Sequence, residues 1–421
     1  MNLQLRHALS VLAFVVCAAV IAGCADNQHD DSGNATVNLN DALATIERDN
    51  IEASIQYLAS DAQQGRMTGT RGYDDSASFV AERFEAIGLE PGGTDGWMQP
   101  IPFIARQVDV GNSAVTLHHA DGDIDFRWKD DVLIYADSVR NENEIRAEVV
   151  YAGFGIHAPE LGYSDFDDID VEGKIVAYFV GAPAAFPSTE RAHYSSGRTK
   201  SSTLAARGAI GEIGLMSRVE EARYEWADYT MNFGTQPDLA WIDPEGNVAD
   251  YHPELQGDVM LNRSSAERLF EAAPLSFDEA QAAADNAQPM STNLGIEMTL
   301  RRASQHEEIT SSNVIGILRG SDETLADEYV VYSTHLDHLG IGEPVAGDSI
   351  YNGMYDNALG VAMTIEIARA LAALPEAPRR SIVFVAVTGE EQGLLGSDYF
   401  AQYPTVPKDA IVANVNIDMP M

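Results

Sequence analysis

The sequence predicts an α/β fold: a mostly parallel, mixed sheet covered by helices, interrupted by an inserted β-rich domain. Changes of apolar rhythm carry this reading. From about Leu39 apolar residues recur at helical spacing, and from about Val115 the period drops to two. From Asn293 strands alternate with helical stretches, the order that yields parallel sheets with helices on their faces. A chain of 421 residues has room for two sizeable cores.

At the N-terminus, Arg6 and His7 precede the apolar run Ala8 to Ala22, which ends in Ile21-Ala-Gly-Cys24. A short basic region, a short apolar run and small residues at a cut describe a secretory signal over residues 1–24, too short for a comfortable membrane span. Ile-Ala-Gly-Cys resembles the lipobox of bacterial lipoproteins. That implies lipidation of Cys24 and a membrane anchor at the cell envelope, in the periplasm or at the outer membrane, with secretion as the alternative. Cys17 leaves with the signal, so the mature chain keeps one cysteine and has no internal disulfide. Residues 25–38 are polar and read as a flexible tether.

Residues 39–130 read as the N-terminal part of the main domain. Ile46, Ile51, Ile55 and Leu58 mark one helix, and Phe79, Val80, Phe84 and Ile87 a second that stops at Gly88. Between them lies a glycine-punctuated loop around Gly65-Arg66. Residues 131–289 read as the insert, with short strands at Val149–Tyr151, Ile175–Tyr178 and Val259–Leu261, and a helix from about Ser201 to Arg207. The Ala-, Asp- and Gln-rich stretch from Ser276 to Pro289 reads as a surface helix or linker. Over residues 290–421, strands at about Asn313–Leu318, Tyr329–Ser333, Ser381–Val387 and Ile411–Ile417 alternate with helices, the clearest from Ala358 to Ala373 with Pro375 and Pro378 as its stop.

The formal charge of −39 argues against nucleic acid, whose phosphates would be repelled. Only Lys129, Lys174, Lys200 and Lys408 are lysines. Such an acidic balance suits solubility and a salty habitat.

Chemistry gathers in the last ninety residues. His335-Leu-Asp337, Asp356-Asn357, Glu390-Glu391 and Asp418 each follow an apolar run or sit in a glycine-flanked turn. Strand ends are where open α/β sheets place ligands. Carboxylates and a neutral imidazole are ligands ready at neutral pH, and a two-zinc hydrolase needs one carboxylate that can bridge. Asp356, in its tight turn, is the natural bridge. His335 can bind one metal, and Asp337 is placed to hold an imidazole nitrogen in its tautomer. Of Glu390 and Glu391, one can bind metal while the other takes a proton from an activated water. Asp418 supplies a further ligand. A lone His-x-Asp, Glu-Glu or Asp-Asn is usually a surface or turn feature; the ordered series is far more specific.

The segments Thr334-His-Leu-Asp-His-Leu-Gly340, Gly353-Met-Tyr-Asp-Asn-Ala-Leu-Gly360, Thr388-Gly-Glu-Glu-Gln-Gly-Leu-Leu-Gly-Ser397 and Asn416-Ile-Asp-Met419 resemble those of co-catalytic zinc aminopeptidases of the bacterial secreted type. The resemblance implies an aminopeptidase-like fold with two zinc ions, and hydrolysis of the N-terminal residue of peptide substrates. His335 and Asp418 would bind one zinc, Glu391 the other, and Asp356 both. Glu390 would be the general base and Asp337 would orient His335. His338 stays outside the metal set. The family's turn often carries Ser at Leu359 and a smaller residue at Tyr355.

Val149-Val-Tyr-Ala-Gly-Phe-Gly-Ile156, Val171-Glu-Gly-Lys-Ile-Val176 and Leu204-Ala-Ala-Arg-Gly-Ala209 resemble the protease-associated domain found in many such enzymes, where His193 and Tyr194 could line a substrate path. In the family, one more histidine follows well downstream of the residue matching Asp418. The resemblance therefore implies a peptidase domain incomplete at its C-terminus, with the second zinc short of a histidine. The alternatives are a catalytically impaired peptide-binding envelope protein, or a carboxypeptidase or cyclase on the same scaffold.

Overall fold

The computed structural model describes residues 42–119, 121–233 and 236–420; the signal segment, Cys24 and the tether lie outside these. The described residues form two compact units, one of residues 42–103 and 309–420, the other within Ile104–Glu308. No helix among the described residues is long and apolar enough to cross a membrane.

In the first unit the sheet runs, in spatial order, Ile411–Asn416, Tyr329–His335, Ser381–Val387, the end of Ser291–Leu318, then Glu90–Pro91. Tyr329–His335 is parallel to both its neighbours, while the last pairings are antiparallel, so the sheet is mixed. Every residue of Ser381–Val387 is buried, as befits a strand covered on both faces. Helix Leu359–Ala372 packs on helices Arg48–Leu58 and Arg71–Ile87 and on strand Tyr329–His335. It is apolar nearly all round, which suits a helix enclosed by other elements. Helix Arg71–Ile87 starts at the Thr70 cap and ends at Gly88, whose φ of 89° a side chain would resist. The parallel strands and their covering helices are those read from the sequence.

The second unit has its own sheet, in the order Gly122–Phe126, Ala114–His119, Ser291–Leu318, Glu142–Ala152, Ile175–Phe179, Gly211–Leu215, Gly257–Leu261 and Val132–Ile134. Its centre is parallel and its margins antiparallel. This unit is wider than the 131–289 insert expected from composition. Val115 and Leu117 on one side, and Leu294, Met298 and Leu300 on the other, belong to its apolar core. The stretch from Ser276 is a helix, Phe277–Asp285, fixed by a reciprocal Ser276–Glu279 capping box. Two acids, Glu212 and Asp258, are register partners on adjacent parallel strands. Burial and then the Asp258 charge push Glu212 up to about 8, and burial pushes Asp258 up to about 6.

Candidate metal centre

The site lies at the C-terminal ends of the three parallel strands in the first unit. His335 is the last residue of its strand, Glu390 and Glu391 follow Ser381–Val387, and Asp418 follows Ile411–Asn416. Asp356 arrives from the turn that precedes helix Leu359–Ala372. That turn is tied by Asn357, whose amide donates to Thr334 Oγ1 and the Ile417 carbonyl, both at 3.0 Å, and whose Oδ1 accepts from Gly360 N–H at 3.1 Å. One buried amide therefore joins three of the site's segments. Asn313 plays a similar part beneath the Glu390 loop, accepting from Thr388 N–H at 3.0 Å and donating to the Gly396 carbonyl at 2.9 Å.

His335 is almost fully buried. Its Nδ1 is 3.0 Å from the backbone carbonyl of Asp337, whereas the Asp337 carboxylate stands 3.9 Å away. A carbonyl can only accept, so Nδ1 carries the proton and Nε2 presents a lone pair. Nε2 is buried with no hydrogen-bond partner. It lies 2.9 Å from Asp356 Oδ1 and 3.3 Å from Asp418 Oδ1. A lone pair facing two carboxylates is electrostatically unfavourable, and a cation, whether a metal ion or a proton, relieves it. The donor set, one imidazole nitrogen and carboxylate oxygens, fits zinc.

His335, Asp356 and Glu391 each offer a ligand atom, all within 4.8 Å of one another, the one such group among the described residues. Asp418 approaches from the His335 side, and Glu390 Oε2 is 3.9 Å from His335 Nδ1. The structure thus brings all six sequence-identified residues to one place. Asp337 acts differently from the expectation. It holds the ring through its main chain, while its buried carboxylate accepts from the N–H groups of Glu390 and Glu391 at 3.1 and 3.2 Å. Its side chain thereby anchors the loop that carries the acid pair.

The accumulated negative charge shows in the acidities. Burial, reinforced by Glu391, Asp337 and Asp418, pushes Glu390 up to about 7. Burial lifts Asp337 to about 6, and burial and Glu391 raise Asp356. Burial alone would lower His335, but the surrounding carboxylates outweigh it and raise its pKa.

Two residues have contacts at the site that the sequence did not assign to them. Arg66, fully buried in the glycine loop, donates to the carbonyls of Leu336, Leu58, Asn352 and Gly353 at 2.9, 2.6, 2.7 and 3.0 Å. Burial lowers its pKa to about 10, against the pull of Asp337, Asp356 and Glu391. The tight glycine loop was its signal in the residues themselves: a Cβ on Gly65 would collide with the Gly340 carbonyl oxygen. The other is His338, whose Nδ1 lies 2.6 Å from Glu391 Oε1. Nothing in the spacing links residues 338 and 391. In the second unit, Tyr194 donates to Glu160 and His193 is exposed on helix Ser188–Ser195.

Residues 313–421, which hold all six, match the family model of Peptidase family M28. Aminopeptidase NAALADL1 of Mus musculus is 35% identical over 130 residues, 30% of this chain and 16% of that protein. A probable zinc metalloprotease of Pyrenophora teres f. teres is 34% identical over 111 residues, 26% of this chain and 23% of its own length. The chain therefore matches about a quarter or less of the length of these curated relatives. Among solved structures, an aminopeptidase from Aneurinibacillus sp. strain AM-1 aligns with 89% of this chain and 71% of its own, at a TM-score of 0.48 and 17% identity.

Proposed function

We propose that this chain is part of a zinc-dependent aminopeptidase that removes N-terminal residues from peptides. The observation that carries the proposal is His335 Nε2, buried, unpartnered and facing the carboxylates of Asp356 and Asp418. His335 and Asp418 would hold one zinc, Glu391 a second, and Asp356 would be shared. When bound, such a pair supplies Lewis acidity and a readily ionised water. Glu390 takes the proton of the attacking water and returns it to the leaving amine. Asp337 keeps Glu390 and Glu391 in place through their backbone N–H groups.

The test is hydrolysis of aminoacyl-anilides by the full-length protein, with N-acetylated anilides as controls. Glu390→Gln should retain zinc and lose about 10²–10⁴-fold in kcat. Equal activity in that variant would remove Glu390 from the mechanism, and equal cleavage of acetylated substrates would remove the aminopeptidase reading.

We also propose that the Ile104–Glu308 unit is of the protease-associated type, on the motifs at Val149–Ile156 and Leu204–Ala209, and that Cys24 carries a lipid anchor at the cell envelope. Labelling with a clickable fatty acid that survives Cys24→Ala would refute the anchor.

A further inference from the structure

His338 is delivered to the site by contacts that do not depend on Glu391. Its backbone N–H donates to the Arg66 carbonyl at 3.2 Å. Its ring lies against Gly353, where a Cβ would stand 2.6 Å from Cγ and Cδ2. The glycine leaves the space the imidazole occupies. The ring is mostly buried, as is the Glu391 side chain it meets. Arg66 is close enough to feel Glu391 electrostatically, yet the guanidinium bonds found all run to backbone carbonyls. Among the described residues, His338 is the one side-chain donor on the Glu391 carboxylate.

A carboxylate on a one-bond pivot can turn away from a cation unless an outer partner fixes its plane. Such partners commonly set ligand orientation and affinity. We propose that His338 is a positioning residue for Glu391. Its Nδ1–H holds Oε1, leaving the other oxygen free for the cation shared with Asp356. This rests on the zinc reading above, and adds that the affinity of the Glu391 site depends on a residue that is not itself a ligand.

The experiment is zinc titration of the metal-free, full-length protein against a chromophoric chelator, for wild type, His338→Ala, His338→Asn and His338→Gln. Asparagine places an amide N–H near the Nδ1 position; glutamine places it near Nε2. Alanine and glutamine should weaken the Glu391-dependent zinc about 10–100-fold and leave the His335-dependent zinc unchanged. Asparagine should recover most of the loss, which mere packing would not explain. Wild-type affinity in the alanine or glutamine variant, failure of asparagine to rescue, or equal weakening of both zincs would overturn the proposal. If the alanine variant does not fold, the glutamine and asparagine pair decides. A wild-type chain that takes up no zinc would sink the metal reading instead. The His338 contact is then read from ¹⁵N-imidazole shifts of the metal-free protein. Glu391→Gln must move the His338 Nδ1 signal, and an unmoved signal would overturn the inference.

Discussion

Replacing Arg66 by lysine is a conservative change that its contacts make severe. Arg66 is fully buried and distributes its N–H groups over four carbonyls from three segments. Leu58 ends helix Arg48–Leu58, Leu336 directly follows His335, and Asn352 and Gly353 lead into the Asp356 turn. With a pKa of about 10 the guanidinium stays charged at neutral pH. An ammonium has three donors on a single nitrogen. It cannot satisfy four acceptors, and it cannot span the fork that the guanidinium spans. At least one buried carbonyl is orphaned, at about 1–3 kcal/mol, and any further bond to a charged donor that is lost costs about 1.5–3 kcal/mol. A loss of about 3–5 kcal/mol follows for Arg66→Lys, a large share of the roughly 5–15 kcal/mol of a typical domain. Urea unfolding, followed through Trp97 with the other three tryptophans replaced by phenylalanine, reads the unit that holds Arg66. Zinc affinity measured on the same samples should fall as well, since two of the carbonyls flank His335 and Asp356. Stability within about 0.5 kcal/mol of wild type, the range of an inconsequential surface change, would refute the clamp.

Other outcomes follow from the same contacts. In the second unit, Glu212 and Asp258 have folded-state pKa values raised to about 8 and about 6. Their contribution is therefore greatest below the ordinary carboxylate range and is lost as pH rises through about 6 and then about 8. Urea midpoints should fall between pH 5 and 9, and Glu212→Gln should flatten that fall; an unchanged slope would show that the pair is not under strain. Zinc removal by chelation should lower the melting temperature and zinc should restore it, because the carboxylates around His335 lose their counter-charge; identical melting with and without zinc would argue against a metal there. A fragment starting at Asn313 should fail to fold alone, as it lacks Arg66 and also Thr68, whose Oγ1 accepts from Gly389 N–H at 2.9 Å. Sharp, dispersed amide NMR signals from such a fragment would contradict this.

Much of the first unit was legible because its strands are short apolar runs with the chemistry at their ends. Tyr329–His335 and Ser381–Val387 announce themselves in this way, as does the apolar helix before Pro375. Strand Met98–Val108 was not legible, because Pro100 and Pro102 normally demote a strand. Both prolines are exposed, while Gln99, Ile101 and Phe103 alternate inward. The 28-residue strand Ser291–Leu318 was seen only at its apolar end; around Gln305–Glu308 the residues are mostly exposed, and burial supplies no rhythm there. The six acid and histidine positions could be read because they are ordered along the chain. Arg66 and His338 could not, because what places them is contact across hundreds or tens of residues, and such contacts leave no period in the sequence.

The ring of His335 is held by a carbonyl of the main chain, a partner that every amino acid supplies. No substitution at position 337 can delete it, so the tautomer that leaves Nε2 bare is inherited with the backbone path itself. Selection acting on the side chain at 337 then reads the acid-pair loop and the charge beside the imidazole, but not the choice of tautomer. In laboratory evolution, position 337 could be varied to shift the placement of Glu390 while the backbone keeps the same imidazole nitrogen bare, a separation that a hydrogen bond from carboxylate to imidazole would have forbidden.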